Sequence, residues 1–303
     1  MKKKDYLAFV CLFCLLGCSK PDINLMPEKK FPVRFSLRLN TEVLPFTRAL
    51  PPDPPTDPDE VCELNELCNA IEYVVFKEED TTTPIQSQKY TSDDDDDFGI
   101  VYDSLPPGNY KVVFIAYTSC VATLSGHVMT FDKLSDTFHT AFTLEIQPEG
   151  DPSKDVSLNR IVGKIEFVAT DAVPAKVACL TTQITPYSKQ LDVITGKSTV
   201  PLGSTESYTT KYDFLYGDKG KTNLSFSFLT FIPSTNKKFN IETQAIAANH
   251  EIIHQRNINN ITPLANRTIR YTGLLYTPAA SDDTFTIEIE DNGKWGDTIE
   301  NTF

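Results

Sequence analysis

The chain has 303 residues, a formal net charge of −13 and seven cysteines. A net negative charge argues against binding to a nucleic-acid backbone and against electrostatic binding of a basic surface to anionic lipid. At about 150 residues per domain, the length predicts two domains, each large enough to bury a core of its own.

The N-terminus has the layout of a secretory signal. Three lysines precede an apolar run from Leu7 to Leu16, which is shorter than the about 20 residues of a membrane-spanning helix. The run ends in Leu-Leu-Gly-Cys at residues 15–18, which resembles the bacterial lipobox, whose cysteine is acylated and becomes the new N-terminus. We therefore expect residues 1–17 to be a signal peptide. Cys18 would carry the acyl chains, palmitate among them, that anchor the protein to a membrane with the rest of the chain outside the cytoplasm.

The next segments predict a tether, a strand and an irregular connection. Residues 18–30 are polar with two prolines, as in a linker between the lipid and the fold. In residues 31–40 apolar side chains alternate with polar ones, which indicates a half-buried strand. Residues 45–59 hold six prolines and Arg48, so they cannot form a regular sheet ladder.

Strand patterns return at Ala70 and continue to residue 146. The strand candidates of this half are 70–76, 110–116, 124–131 and 138–146. Residues 77–97 predict a polar connection. It ends in five aspartates that lack the ligand spacing and turn glycine of an EF-hand, so we expect a solvated acidic loop. The Pro-Pro-Gly-Asn turn at 106–109, which leads into a strand, resembles the turns of transthyretin-like sandwiches.

The turn cluster at residues 149–153 is the best candidate for a domain boundary. Alternating strand patterns resume beyond it, at 161–168, 177–184, 223–232, 239–247, 252–261, 268–276 and 283–290. Only residues 61–71 have helical spacing, enough for one short helix. Many short strands with Pro, Gly and Asn turns predict an all-β protein of two tandem transthyretin-like β-sandwich domains, at 31–150 and 151–303.

Four cysteines remain in the predicted mature fold besides Cys18: Cys62, Cys68, Cys120 and Cys179. Disulfides are permitted in an exported protein, and Cys62 and Cys68 are the pair closest in sequence. Cys120 and Cys179 fit equally well as buried small apolar residues. No C-x-x-C spacing points to a zinc or redox site, and the sequence implies no metal and no cofactor.

His250-Glu251-Ile-Ile-His254 matches the H-E-x-x-H signature of zinc metallopeptidases. That site requires both histidines on one face of a helix, whereas the flanking residues alternate as strands do and Ala248-Asn249 suits a turn. On a strand the two histidines would lie about 13 Å apart, too far for one zinc ion. We therefore predict no catalytic residues and no enzyme, with a zinc peptidase as the minor alternative.

Two stretches resemble fimbrillins of the Bacteroidia type. Residues 158–174, LNRIVGKIEFVATDAVP, are similar to the strand that opens the C-terminal domain of that family, especially in its lipid-anchored minor subunits. Residues 260–275 carry a Pro-Leu-x-Asn pattern, Pro263 to Asn266, followed by Gly273, as before the last strands of the family. The lipobox and the late Gly293-Lys294-Trp295 are consistent with the same family.

This resemblance implies a fimbrial subunit of the anchor, accessory or tip kind that acts in fimbria assembly and cell adhesion. It also implies that the lipid on Cys18 lies in the cell outer membrane and that the fold is exposed at the cell surface, in the fimbrium. Its partners would be other fimbrial subunits, bound by strand exchange or edge pairing. In shaft fimbrillins a trypsin-like protease removes the N-terminal strand and a neighbour's strand fills the groove. Arg48 is the corresponding candidate processing site here, although anchor-type subunits are expected to keep that strand. A surface lipoprotein that binds glycan or host protein through sandwich loops is the alternative from another functional class.

Overall fold

The computed structural model describes residues 29–40, 62–118, 121–148, 153–199, 206–234, 238–278, 285–291, 294–295 and 299–300. In these ranges the chain forms four β-sheets, one α-helix and one 3₁₀ turn, which confirms the all-β prediction. None of the helices described there has the length and apolar character needed to span a membrane.

The elements of the first half run from residue 31 to residue 160. They are β1 Phe31–Leu39, α1 Leu64–Leu67, β2 Ala70–Lys77, β3 Gln86–Thr91, β4 Ile100–Leu105, β5 Gly108–Tyr117, β6 Ala122–Ser125, β7 Val128–Phe131, β8 Thr137–Ile146 and β9 Ser153–Arg160. The helix has a single turn, in agreement with the expectation of one short helix at most.

The elements of the second half begin at residue 162. They are β10 Val162–Ala169, β11 Val177–Thr185, β12 Gln190–Asp192, β13 Lys197–Ser198, β14 Tyr208–Asp213, β15 Leu224–Phe231, β16 Phe239–Ala247, β17 Ile252–Ile261, β18 Arg267–Gly273, β19 Thr286–Asp291, β20 Lys294–Trp295 and β21 Ile299–Glu300. A 3₁₀ turn, Tyr216–Asp218, follows β14.

The first-half sheet has seven strands in the order β3-β2-β5-β8-β9-β1-β4. β8 and β9 meet over two residue pairs, Phe138 with Arg160 and His139 with Asn159. Across the interior, the ring centroid of Phe35 on β1 lies 5.2 Å from that of Phe114 on β5. The two ends of the sheet therefore face each other over one apolar core, as the layers of a sandwich do.

The second half packs two sheets against each other. One has the order β15-β10-β18-β19 with β20 and β21 beside β19, and the other has the order β14-β11-β16-β17. Their shared core includes Phe167 from the first sheet, and Ile184 and Ile241 from the second. Two layers around one apolar interior satisfy the burial requirement of both sheets.

A fourth sheet joins the two halves. It has the order β13-β12-β7-β6, so it combines two strands from each half, with Leu191 opposite Met129. Beside it, Arg160 forms a salt bridge of 2.7 Å from Nε to Asp136 Oδ1 and donates to Asn266 Oδ1 at 2.9 Å. The junction is therefore a packed and hydrogen-bonded interface between the halves.

The position of β9 differs from the sequence prediction, which assigned residues from 151 onwards to the second half. In the structure β9 pairs in parallel with β1, from Arg34 opposite Ser153 to Leu39 opposite Leu158. After Ile161 the chain continues directly into β10 of the second half. β9 and β10 therefore link the two halves along one nearly continuous extended segment. The division of the chain into domains at 150 and 151 stays a prediction.

Two further differences are local. Residues 124–131 form a hairpin of β6 and β7 and not the one strand expected, because Gly126 turns the chain with φ of 60°. The expected polar connection at 77–97 contains a strand, β3, which pairs with β2 along its whole length. At residues 124–131 a local turn decides the structure, whereas at β3 the pairing partner, and not the local apolar pattern, decides it.

Candidate functional site

The candidate site is the slot that β1 occupies in the first-half sheet. On one side β1 pairs with β4 in antiparallel fashion, from Phe31 opposite Leu105 to Ser36 opposite Ile100. On the other side it pairs in parallel with β9. Both backbone edges of this N-terminal strand are therefore hydrogen-bonded within the chain.

The side chains of β1 alternate between the core and the outer surface, as the sequence predicted. Every second residue is buried: Phe31, Val33, Phe35, Leu37 and Leu39. The Phe35 ring lies at the centre of an aromatic cluster, with its centroid 5.7 Å from that of Tyr73 and 6.1 Å from that of Phe142. At about 1.5–3 kcal/mol per buried large apolar side chain, this row contributes of order 10 kcal/mol, an upper estimate.

Polar contacts hold β1 and its neighbours in place. The Arg34 guanidinium lies over the Tyr102 ring of β4, 5.9 Å from its centroid. At the end of the strand, Asn40 Nδ2 donates to Asn159 Oδ1 at 2.8 Å. These contacts fix the register of β1 against both of the strands that flank it.

A partly buried hydrogen bond ties the two layers of the sandwich together beside the β1 slot. The Tyr73 hydroxyl of β2 donates to Asp103 Oδ2 of β4 at 2.9 Å. Burial, reinforced by the neighbouring Asp103 carboxylate, raises the pKa of Tyr73 well above its usual range. The hydroxyl therefore keeps its proton and remains a donor to Asp103.

The slot is suited to holding an extended strand. Without β1, two strands would expose unpaired N–H and C=O groups on either side of a row of apolar pockets. Such a groove binds a β-strand through main-chain hydrogen bonds and alternate side chains. The geometry therefore supports a binding and assembly function for this part of the molecule.

The two sequence-predicted site residues, Cys18 and Arg48, lie outside the described residues. So does Cys120. β1 begins at Phe31, directly after the predicted tether of residues 18–30, and the Pro-rich residues 45–59, which include Arg48, follow it in the sequence. Lipidation at Cys18 and processing at Arg48 therefore stay predictions.

The H-E-x-x-H residues lie on a turn and a strand. His250 has φ of 67° in the turn between β16 and β17, and its N–H donates to the Ala247 carbonyl at 2.9 Å. His254 lies on β17 opposite Ala245. The helical arrangement that brings both histidines to one zinc ion is not formed by these residues, which confirms the expected turn and strand.

Three of the remaining cysteines are free and buried: Cys62, Cys68 and Cys179. The Cys62 thiol donates to Glu66 Oε2 at 3.1 Å, and burial together with Glu66 raises the pKa of Cys62 to about 12. Burial also raises the pKa of Cys68. The thiols of Cys62 and Cys68 therefore stay protonated, and no disulfide joins them.

The five aspartates at residues 93–97 follow β3 in a turn. Asp95 Oδ2 accepts from the Thr91 N–H at 2.8 Å, and Asp94 Oδ2 accepts from the Thr91 hydroxyl at 2.6 Å. Within the described ranges no group of three or more His, Cys, Asp or Glu side chains is arranged to hold a metal ion. The carboxylates that accept from Thr91 thus cap the turn.

Sequence reasoning missed the strands that form the walls of the slot. β4 was not predicted, although Val101 and Leu105 are buried in the same core as β1. The alternation of Val156 and Leu158 with polar residues could have identified β9 as a strand, but it could not have identified β1 as its partner.

Solved structures share this fold. The fimbrial anchor protein Mfa2 of Porphyromonas gingivalis matches with a TM-score of 0.52 at 11% identity, covering 88% of this chain and 99% of that one. A candidate adhesin of Bacteroides thetaiotaomicron matches at 0.53 and 10% identity, covering 91% and 99%. A candidate polysaccharide-binding protein (DUF1812) of the same species matches at 0.54 and 9% identity, covering 89% and 98%. At these identities the likeness establishes the fold.

Curated protein sequences contain no match to the chain. The sequence profile of a family of unknown function (DUF6562) matches residues 28–299. That range includes all but the last residue of the described strands. The chain therefore belongs to this family of unknown function and has the fold of fimbrial anchor proteins and candidate adhesins from the Bacteroidetes.

Proposed function

We propose that this protein is a lipid-anchored fimbrial subunit of the anchor type, which acts in fimbria assembly and adhesion at the cell surface. The observation that carries the proposal is the β1 slot, in which an N-terminal strand is hydrogen-bonded on both sides. The shared fold with the fimbrial anchor protein Mfa2 supports the same function.

In this proposal the parts of the chain have distinct roles. Residues 1–17 are removed, Cys18 carries the lipid, and residues 18–30 span from the outer membrane to the fold. Residues 31–150 and 151–303 form two tandem transthyretin-like sandwiches. Other subunits bind by strand exchange or edge pairing, chemistry that an unpaired sheet edge supplies.

We further propose that β1 is retained in the mature protein. Its five buried side chains and two hydrogen-bonded edges make its removal costly. Arg48 is the processing site of the competing hypothesis, in which a trypsin-like protease cuts after it and β1 then leaves. Retention of the strand fits a subunit at the base of a fimbria.

The test is the location of the protein in cells that express fimbriae. The wild-type protein is expected in the outer membrane fraction and, after shearing, together with fimbriae. Cys18→Ala should release the protein from the membrane, whereas Ser19→Ala, as the matched control, should not. A wild-type protein that neither sediments with membranes nor associates with fimbriae would contradict the proposal.

A second candidate function, glycan binding, is supported by the fold shared with a candidate polysaccharide-binding protein. Exposed tyrosines that could stack on sugar rings include Tyr102, at 61% exposure, and Tyr216, at 96%. Binding of the isolated monomer to a glycan array would favour this function over assembly. A zinc peptidase would require about one tightly bound zinc ion per chain, which metal analysis of the purified protein measures.

A further inference from the structure

β15 is an outer strand of the second half with an unusual sequence. Its described neighbour is β10, and the pairing runs over eight residues without a register shift. The strand reads LSFSFLTF, with no charged residue and no proline. Ser227 is exposed, and Phe226 and Phe228 are half-buried. A long and uncharged edge with regular pairing on its other side readily pairs with another strand.

The other outer strands of the described sheets carry features that discourage such pairing. β3 contains Lys89, β4 contains Asp103 and β14 contains Lys211. β17 contains Arg256, and its pairing with β16 is interrupted twice by register shifts. The remaining outer strands, β6, β13, β20 and β21, have four residues or fewer. Charges, bulges and shortness are the usual protections of sheet edges, and β15 has none of them.

The backbone directions of β10 can be read from its contacts with the β18 side. The Asn266 N–H donates to the Val162 carbonyl at 2.9 Å, and the Thr170 N–H donates to the Gly273 carbonyl at 2.9 Å. The backbone N–H and C=O groups of one residue in a strand point to the same neighbouring strand. The even-numbered residues of β10 therefore direct these backbone groups to β18. The odd-numbered residues of β10 direct their backbone N–H and C=O groups to β15.

The outward groups of β15 follow from this register. Odd-numbered residues of β10 stand opposite even-numbered residues of β15, so Ser225, Ser227 and Leu229 direct their N–H and C=O groups away from β10. The Leu229 carbonyl agrees with this direction, because it accepts from the Tyr187 hydroxyl at 3.5 Å. The structure describes no strand beyond these outward groups.

We propose that this edge pairs with the same edge of a second copy of the chain, in an antiparallel register centred on Ser227. In that register Ser227 stands opposite Ser227, and Ser225 stands opposite Leu229, as hydrogen-bonded pairs. Phe226 stands opposite Phe228 in the non-hydrogen-bonded positions, where side chains across two strands lie closest.

The sequence itself favours a second copy over a different partner. The phenylalanines lie symmetrically about Ser227, so self-pairing matches an aromatic ring with an aromatic ring on both sides of the centre. The chain carries a net charge of −13, yet this strand has no charge. Two copies can therefore approach along β15 without placing like charges opposite each other. The proposal does not depend on the fimbrial function.

A cysteine at the centre of the register tests it directly. In a hydrogen-bonded antiparallel pair the Cα atoms lie about 5.5 Å apart, a separation that a disulfide spans. The full chain with Ser227→Cys, solubilised in detergent and treated with a mild oxidant, is expected to form a covalent dimer. Ser225→Cys is the matched control on the same face, because the two introduced thiols would lie about 13 Å apart across the proposed register.

Proline at the same position provides a second test. The Ser227 N–H points outward, so Ser227→Pro removes a bond of the dimer but none to β10. We expect self-association, measured by sedimentation, to weaken at least ~tenfold with little change in thermal unfolding. Ser227→Ala should leave self-association unchanged.

Three results would overturn the proposal. One is equal cross-linking of the Ser225→Cys and Ser227→Cys chains, or none above wild type. Another is a cross-linked product whose mass is not twice that of the chain, since a different protein would then occupy the edge. The third is unchanged self-association of a folded Ser227→Pro variant.

Discussion

β1 and β15 are strands of nearly equal length with opposite surroundings. β1 has a described strand on each side and a row of side chains in the core. β15 has β10 on one side, and its apolar side chains Phe226 and Phe228 are half-buried. Burial and pairing close the edges of β1 to other strands, whereas β15 leaves an edge open and uncharged.

The difference shows where a sandwich of this kind can make new contacts. β1 can bind elsewhere only after its core contacts are broken, which is costly. β15 can accept a strand while its pairing with β10 stays intact, although the Tyr187 hydroxyl that donates to the outward Leu229 carbonyl must share that carbonyl or move aside. The predictions below test this contrast by weakening each region separately.

The largest effect is expected at the centre of β1. Phe35→Ala should lower the free energy of unfolding by about 3–5 kcal/mol, because it leaves a cavity in the aromatic cluster. Denaturant unfolding measures the change. Arg38→Ala, on the exposed face of the same strand, should change it by less than about 0.5 kcal/mol. Similar values for the two variants would show that β1 is not anchored by its core contacts.

A slightly smaller loss is expected at the junction between the halves. Asp136→Ala leaves Arg160, which is 3% exposed, without its carboxylate partner, and should cost about 3 kcal/mol. Lys211→Ala breaks the exposed pair with Asp213 and should leave the unfolding midpoint unchanged. Equal midpoints for the two variants would argue against a structural role of the buried pair.

In β15 a large-to-small substitution should cost less than in β1. Phe228→Ala removes a half-buried ring and should lower the free energy of unfolding by about 1–2 kcal/mol. The same variant should weaken self-association, because its ring stands opposite Phe226 in the proposed register. A loss as large as that of Phe35→Ala would show that β15 is a core strand and not an open edge.

The smallest effect is expected on the pH dependence of stability, through His139 at the junction between the halves. Burial lowers the pKa of His139, although the bond from its Nε2 to the Val193 carbonyl, at 2.7 Å, opposes that shift. The unfolded chain then takes up the proton first, so stability falls as the pH drops below about 6.5. His139→Gln should reduce the loss of unfolding free energy between pH 7.5 and pH 5.5. An identical pH dependence in both proteins would exclude a contribution from His139.

The sequence predicted the strands whose apolar residues alternate, and it missed those defined by their partners. β1 and β15 were both predicted, since Phe35, Phe226 and their neighbours repeat with a period of two. β3, with the sequence QSQKYT, has no such repeat and is a strand because it pairs with β2. Polar edge strands of this kind give little signal in a single sequence.

The candidate site was predictable only in part. The alternation of residues 31–39 indicated a half-buried strand, but the parallel pairing with β9 joins residues more than a hundred positions apart. Local periodicity contains no information on such long-range partners. For the H-E-x-x-H residues, local sequence was sufficient. The alternating flanks and the turn at Ala248 correctly predicted that His250 and His254 do not share a helix.

The most direct test of the proposed function is the N-terminus of the mature protein purified from fimbriated cells. Mass spectrometry of the N-terminal peptide should find an acylated Cys18 and a chain that still contains β1. A mature chain that begins at Ala49, after cleavage at Arg48, and that has lost residues 31–39 would contradict the account.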